Sequence, residues 1–505
     1  MEINNIIVQA GGRGSRLETL TINKPKCLVP VDNLPMIFHL FKRFPKTRFI
    51  IIADYKSDVL INYLKAFAEV EYEVIVTNEK GTCSGIREAL QHIPQQDPFI
   101  LTWCDLVLNP DLSLPTDFST NYVGISESFE CRWSYENGSF IKKASSNNGV
   151  AGFFVFKDKS QLSEIQTSGE FVAWLSSQSI QFSRYSIRGS REIGTVLSYY
   201  QSKINKPNCR PFNQVMFKED VVEKRPLDEQ GQKLAVMESE WYKKATELNF
   251  SRLPEIYELS PLKMKRIQGK NIYEYNTLTY SQKVEIIKKI ILGLKELHTL
   301  TTPIAANIDD CKTNYLTKTF ERLDRVKNLV PFGDSEFITI NGKRCLNVFF
   351  YQKELNEMLF NSFPKEFNFI HGDPTFSNIM LETESVEPFF IDPRGYFGNT
   401  KYFGDKNYDW AKLYYSIVGN YDQFNLKNFS LEITDTEVKL KILSSNWEDV
   451  EEIFFEETNA DKKTIRLIHS IIWLSLTTYA WEDYDSICGA FYNGLLHLNE
   501  IINEK

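Results

Sequence analysis

The chain has 505 residues, too many for one hydrophobic core, so two or three domains are expected. Hydrophobic residues make up 42% and charged residues 25%, a globular composition that excludes wholesale disorder. Lys and Arg number 58 against 66 Asp and Glu, a net charge of -8, which argues against a dedicated nucleic-acid binder or a polybasic membrane anchor.

Read from the N-terminus, Asn5–Ala10 is an expected strand running into a Gly-rich turn. Met36–Phe44 has helical spacing, Phe49–Ala53 is an apolar strand, and Ser57–Phe67 is helical. Val74–Thr77, Ser84–His92 and Phe99–Trp103 continue as strand, helix and strand. Strands alternating with helices predict an α/β domain with a mixed, mostly parallel, Rossmann-like sheet, with ligands at the carboxyl ends of its strands. The polar stretch around Lys203–Asn208 reads as a linker, giving expected domains at 1–205 and 212–505. Beyond it, Val215–Glu223 reads as a strand pair leading to Lys224, Lys233–Leu248 as a helix, and Gln282–His298 as a long amphipathic helix. Thr464–Asn499 reads as helix with an aromatic stripe of core character. The second domain is therefore expected to be α+β.

The apolar runs have strand length, short of a membrane span, and the first residues lack a basic segment followed by an apolar core. The 8 Cys form no Cys-x-x-Cys pair, so a disulfide framework is not expected and a cytoplasmic location is the default. Neither nucleic acid nor membrane is an expected partner, and the oligomeric state is open.

Two motifs carry chemistry. The first is Gln9-Ala10-Gly11-Gly12-Arg13-Gly14-Ser15-Arg16, followed by Lys24-Pro25-Lys26. Glycines after a strand let backbone N–H groups approach a phosphate, and Arg16 offers a fork of donors. Lys24 or Lys26 can supply a second cation. These residues resemble the signature of the sugar-phosphate nucleotidyltransferase family, over roughly the first 200 residues. The resemblance implies nucleotide binding by Gln9, Ala10, Gly11, Gly12 and Gly14, and catalytic roles for Arg16 and Lys26. Lys80-Gly81-Thr82 resembles the family's nucleobase loop, which adds Gly81 and Thr82. Asp105 resembles its strand-end magnesium ligand, and Arg191-Glu192-Ile193-Gly194-Thr195 its second acidic motif, with Glu192 where the family has Asp. Gly149–Phe153 resembles the acceptor-side strand, and Lys142 or Lys143 could hold the acceptor phosphate.

The second motif is His371-Gly372-Asp373-Pro374-Thr375-Phe376-Ser377-Asn378, then Ile391-Asp392. An Asp and an Asn five apart on a loop, followed by another Asp after an apolar strand, suit phosphoryl transfer from ATP. The pattern resembles the aminoglycoside phosphotransferase and choline kinase family from about residue 212 to the C-terminus, which implies a protein-kinase-like fold. By that resemblance Asp373 is the catalytic base, Asn378 and Asp392 are magnesium ligands, and Lys224 contacts phosphates. Glu238 pairs with that lysine, with Glu240 the competing choice. The segment from Met264 to Gly269 faces adenine, His298 is structural, and Asp405 and Asp409 brace the catalytic loop.

Together these readings imply a bifunctional, magnesium-dependent enzyme. A kinase phosphorylates a small alcohol or sugar with ATP. A nucleotidyltransferase then uses CTP or UTP on that phosphate, giving an activated precursor for surface polysaccharide or lipid headgroups. The alternatives are CDP-choline synthesis, separate substrates for the two domains, an antibiotic kinase with a non-catalytic N-terminal module, and a scaffold of inactive domains.

Overall fold

The computed structural model describes residues 3–77, 81–203 and 213–504. The expected boundary between 205 and 212 and the nucleobase-loop residue Lys80 lie outside them. Two compact units are present, Met1–Lys206 with Trp481–Asp485, and Pro207–Ala480 with Ser486–Lys505.

In the first unit, β1 (Asn5–Gln9) is buried along its whole length. Next come α1 (Met36–Arg43), β2 (Arg48–Ala53), α2 (Ser57–Phe67), β3 (Tyr72–Val76), α3 (Cys83–Ala89) and β4 (Phe99–Trp103). The strands lie in the parallel order β4–β1–β2–β3, with Gln9 opposite both Ile52 and Trp103. Short runs such as Ile6-Ile7-Val8 and Ile50-Ile51-Ile52 suit strands covered on both faces.

The following strands are β5 (Leu106–Val107), β6 (Asn121–Ser126), β7 (Ser134–Glu136), β8 (Ser139–Ile141), β9 (Gly149–Phe156), β10 (Phe182–Ser186) and β11 (Arg191–Glu192); β6 to β10 extend the sheet, and β5 and β11 form a separate ribbon. The sheet is mixed, as expected, but not mostly parallel: β9 runs antiparallel to β4, β6 and β7, and β8 pairs antiparallel with β7. The β7–β8 turn is Asn137-Gly138, both with positive φ, the two-residue turn that joins antiparallel strands. Phe154, Phe156 and Phe171 pack with Ile7, Ile50 and Leu101 in the core.

Residues Trp481–Asp485 complete this unit. The Trp481 ring lies 5.3 Å from Phe38 and 5.9 Å from Phe67, and the Tyr63 hydroxyl donates to the Trp481 carbonyl. Lys24, only 2% exposed, pairs with Asp483 at 3.2 Å and with Asp485. The expected helix over Thr464–Asn499 is accordingly broken, into Lys462–Leu476 and Tyr484–Asn503.

In the second unit, β12 (Asn213–Lys218) and β13 (Val221–Pro226) form a hairpin, so Lys224 sits within its second strand. Helix α4 (Glu229–Glu247) starts four residues earlier than its apolar spacing suggests, where the Asp228 side chain accepts from the Gly231 N–H at 2.7 Å. β14 (Ile256–Leu259) and β15 (Leu262–Lys265) complete the antiparallel order β12–β13–β15–β14. Helix α5 (Tyr280–His298) begins at a Thr279/Gln282 capping box. Helix α6 (Lys318–Val326), strands β16 (Ile379–Glu382) and β17 (Pro388–Phe390), helix α7 (Lys406–Ile417) and helix α8 (Lys462–Leu476) follow.

Lys24 is the cation that buried Asp483 and partly buried Asp485 share. Lys24→Met should cost the first unit about 3–5 kcal/mol in chemical denaturation. A loss below ~1 kcal/mol would show that the pair is not structural.

Candidate active sites

The first site forms where β1 and β4 end. The Cys104 N–H donates to the Gln9 carbonyl at 3.1 Å, and the Ile193 N–H to the Asp105 carbonyl at 2.9 Å. In the β5–β11 ribbon Glu192 lies opposite Leu106, which brings Glu192 near Asp105. Lys26 pairs directly with Asp105; both side chains are about nine-tenths buried. Arg16, half-exposed, reaches Glu192 at 3.8 Å. Of the two lysines that could supply the second cation, Lys26 faces this cluster and Lys24 is committed to Asp483 and Asp485.

Gly14 and Gly81 are required by geometry. Gly14 has φ +69°, and a Cβ there would meet the Lys26 Cβ at 3.0 Å. A Cβ on Gly194 would meet Glu192 Oε1 at 2.5 Å. Gly11 closes on Asp54, and its carbonyl accepts from the Tyr55 N–H at 3.2 Å, while the Ala10 N–H donates to Ile52. Nothing crowds Gly12. Gln9 Nε2 donates to the Thr82 carbonyl at 3.0 Å. Gly81 has φ +97° against Gly169, and the Thr82 N–H donates to the Gly169 carbonyl at 2.8 Å. Thr82 Oγ1 accepts from the Phe171 N–H at 2.8 Å, so this turn is fixed by the 169–171 segment, a partner that sequence spacing did not reveal. Lys142 and Lys143 are exposed.

Charge in this cluster is balanced narrowly. Burial, and then the neighbouring Asp105, push the Glu192 carboxyl up, against Lys26, Arg16 and Arg132. Burial opposes the Lys26 ammonium, but Asp105, Cys104 and Glu192 together hold the group above its usual range. Two adjacent carboxylates, one of them reluctant to ionise, are donors that a hard divalent cation would satisfy. Magnesium commonly takes one or two protein carboxylates and completes its shell with water and phosphate oxygens.

The second site gathers on β13, α4 and the loops before β16 and after β17. Lys224 Nζ lies 2.8 Å from Glu238 Oε2 and 2.9 Å from Asp392 Oδ1. Glu240 instead pairs with Lys401 at 2.8 Å on the exposed face of α4. Burial pushes Glu238 up to about 7, against the pull of Lys224. Met264 lies opposite Val222 on the neighbouring strand, two residues from Lys224.

The Asp373 loop is held from behind. Asp409 accepts from the His371 N–H at 2.9 Å and the Gly372 N–H at 2.7 Å, and His298 Nε2 lies 3.0 Å from it. Asp405 caps α7 and accepts from the Tyr315 hydroxyl at 2.9 Å. Asn378 Nδ2 donates to the Asp373 carbonyl at 2.8 Å and to its Oδ2 at 3.2 Å, and the Ile391 N–H donates to the Asn378 carbonyl at 2.9 Å. Asp373, Asn378 and Asp392 are thereby linked through one short network. Lys412 on α7, which the sequence reading missed, lies 2.9 Å from Asp373 Oδ1. Burial would raise the Asp373 carboxyl, but Lys412 holds it below the usual range. The only local signal for Lys412 was its position one turn after Asp409.

Residues 6–114 match the model of the MobA-like NTP transferase domain family. The mannose-1-phosphate guanyltransferase of Debaryomyces hansenii is 32% identical over 114 residues, covering 21% of this chain and 30% of that protein. A protein of the same name from Pichia angusta is 36% identical over 74 residues, 14% of this chain and 20% of that protein. The chain thus spans about a third or less of the curated relatives it matches. Among solved structures, HddC from Yersinia pseudotuberculosis is 20% identical with a TM-score of 0.34, covering 40% of this chain and 98% of that one. The inositol-1-phosphate CTP transferase from T. maritima is 15% identical with a TM-score of 0.33, covering 41% and 98%. No helix among the described residues is long and apolar enough to cross a membrane.

A methyl group at Gly14 would force both a left-handed backbone and a contact with Lys26. Gly14→Ala should destabilise the first unit by about 1–2 kcal/mol in urea denaturation. An unchanged midpoint would mean the turn is not strained.

Proposed function

We propose that the chain is a bifunctional transferase. Its C-terminal domain phosphorylates a small alcohol or sugar with ATP, and its N-terminal domain converts the resulting phosphate into a nucleoside-diphosphate derivative. What carries the reading is that each unit gathers its own set of groups suited to phosphate chemistry, Lys26, Asp105, Glu192 and Arg16 in one and Lys224, Glu238, Asp373, Asn378 and Asp392 in the other. The family match over residues 6–114 supports the first half. Domains at 1–205 and 212–505 are part of the proposal.

In the N-terminal reaction the acceptor's phosphate monoester attacks the α-phosphorus of a nucleoside triphosphate, and pyrophosphate leaves. The nucleophile is already anionic, so the site must position and neutralise rather than deprotonate. Arg16 faces the leaving pyrophosphate and Lys26 the α-phosphate. Asp105 and Glu192 would hold magnesium, which when bound supplies further neutralisation of the triphosphate. Glycines at 11 and 14 let backbone N–H groups approach the phosphates, Gln9 and Ala10 border the same turn, and Gly81 with Thr82 borders the base. We expect CTP or UTP, with CTP favoured.

In the kinase reaction Lys224, steadied by Glu238, contacts the ATP phosphates, and Asn378 and Asp392 would hold magnesium. Asp373 orients the acceptor hydroxyl and takes its proton. Because Lys412 keeps this carboxyl acidic, it is a weak base, suited to late proton transfer in a loose phosphoryl-transfer transition state. Since the kinase product is the kind of acceptor a nucleotidyltransferase needs, tethering the two raises the local concentration of the intermediate.

Arg16→Ala and Asp105→Ala should each lower pyrophosphate release by about a hundredfold or more, with ATP-dependent phosphorylation retained. Near-normal nucleotidyl transfer in both, assayed with CTP, UTP, GTP, ATP and dTTP, would refute the first assignment. A clear preference for GTP or dTTP would refute only the choice of base. Asp373→Asn should cut phosphorylation by about a hundred- to ten-thousandfold and still permit nucleotidyl transfer to an acceptor supplied as its phosphate. Phosphorylation at the wild-type rate in that variant would refute the second.

A further inference from the structure

Beside Asp373 the second unit gathers four cations, Lys412, Arg394, Lys318 and Arg322. Lys412 pairs with Asp373 and lies 5.8 Å and 5.4 Å from the ring centres of Tyr408 and Tyr415. Arg394 donates from Nη1 to the Tyr408 hydroxyl at 2.9 Å and from Nη2 to Asn314 Oδ1 at 3.4 Å, with its guanidinium 4.6 Å from the Tyr396 ring centre. Asn314 lies in a π-helical turn, Thr313–Thr317, that leads directly into α6. Lys318 and Arg322 follow it at four-residue intervals, the spacing that gathers side chains on one helix face. Arg322 Nη1 donates to the Ser475 carbonyl and Oγ, both at 2.7 Å.

Three observations say that this cluster awaits a ligand. Among the described residues no carboxylate pairs with Lys318 or Arg322, and Asp373 is already paired with Lys412. Asn314 is only 7% exposed; its Oδ1 faces Arg394, while its buried Nδ2 has no hydrogen-bond partner. Burial, with Arg394, Arg322 and Lys412 close by, pulls the Lys318 ammonium down to about 7. Partly buried cations without counter-charges are costly, and an unpaired buried amide donor adds to that cost. Both penalties are relieved by one oxyanion.

We propose that Asn314, Lys318, Arg322 and Arg394 bind a carboxylate or phosphate on the acceptor whose hydroxyl is presented to Asp373, so that the kinase substrate is an anionic alcohol. This rests on the kinase reading of the second unit. In the reaction the acceptor oxygen bonds to the γ-phosphorus, the bond from that phosphorus to ADP breaks, and the hydroxyl proton passes to Asp373. The same cluster repels cationic acceptors, which disfavours choline and aminoglycosides. The product carries two anionic groups, and where the anchoring group is a carboxylate the new phosphate is the one available for nucleotidyl transfer.

The test uses the full chain with magnesium and ADP, and calorimetric binding of probes that differ in charge. These are glycerate, glycerol phosphate, glycerol and choline, with gluconate, glucose phosphate and glucose as a larger set. At least one anionic probe should bind about tenfold or more tighter than its neutral counterpart, and the carboxylate and phosphate arms tell the two groups apart. Arg322→Gln and Lys318→Gln should weaken that probe by about ten- to a hundredfold, and Arg322→Lys should recover part of the loss. Thermal stabilisation by ATP reports that each variant is folded. Equal binding of neutral and anionic probes, or no effect of either variant on an anionic probe, overturns the proposal, as does failure of every anionic probe to bind. A parallel assay with labelled ATP separates the two readings. Arg322-dependent binding of an anion without phosphorylation of any probe keeps the anion site and removes the kinase reading. Phosphorylation of glycerol, glucose or choline with unchanged KM in Arg322→Gln does the reverse.

Discussion

The contact between Lys26 and Asp105 sets the geometry of the N-terminal site. It joins the turn after Pro25 to the carboxyl end of β4, and Asp105 in turn stands beside Glu192 on the β5–β11 ribbon. Gly14 is the residue that lets Lys26 lie there, because any side chain at that position would meet it. Pro25 is extended and a 3-10 turn starts at Lys26, so Lys24 and Lys26 part company although only one residue separates them. One becomes structural, locked against Asp483 and Asp485, and the other stays with the carboxylates of the site.

The second unit meets the same difficulty by a different route. Its loop must present Asp373 and Asn378 while their backbone is buried. Asp409 takes both the His371 and Gly372 N–H groups, and His298 holds Asp409. Lys224, between Glu238 and Asp392, ties the strand sheet to the loop after β17. Among the described residues no acid pairs with Lys318 or Arg322, and that asymmetry is what marks the region beside Asp373 as a place for an anion.

Much of this was legible in the sequence because it is local. The strand runs of β1, β2 and β4, the Gly-rich turn and the His-Gly-Asp loop are all short-range patterns. The choice of Glu238 over Glu240 was also readable in principle. Glu238, Trp241, Tyr242 and Ala245 recur at helical spacing and form the buried face of α4, and Glu240 falls outside it. The hairpin signal Asn137-Gly138 was likewise present and would have corrected the expectation of a mostly parallel sheet. What could not be read is long-range. Asp483 and Asp485 meet Lys24 across more than 450 residues, and Thr82 is fixed by Gly169 and Phe171. Lys412 meets Asp373 across 39 positions of sequence, and only packing brings the two together.

The central claim is that one phosphorus atom passes through both sites. With the acceptor that the C-terminal domain phosphorylates, the measurement is to supply ATP labelled at the γ-phosphate, unlabelled CTP or UTP, and magnesium, and to locate the label by phosphorus NMR or by selective cleavage of the product. If the kinase product is the nucleotidyl acceptor, the label appears in the phosphate adjoining the acceptor within the diphosphate bridge, and the released pyrophosphate is unlabelled. Label confined to the monoester or to inorganic phosphate, with no labelled diphosphate product, would contradict the account.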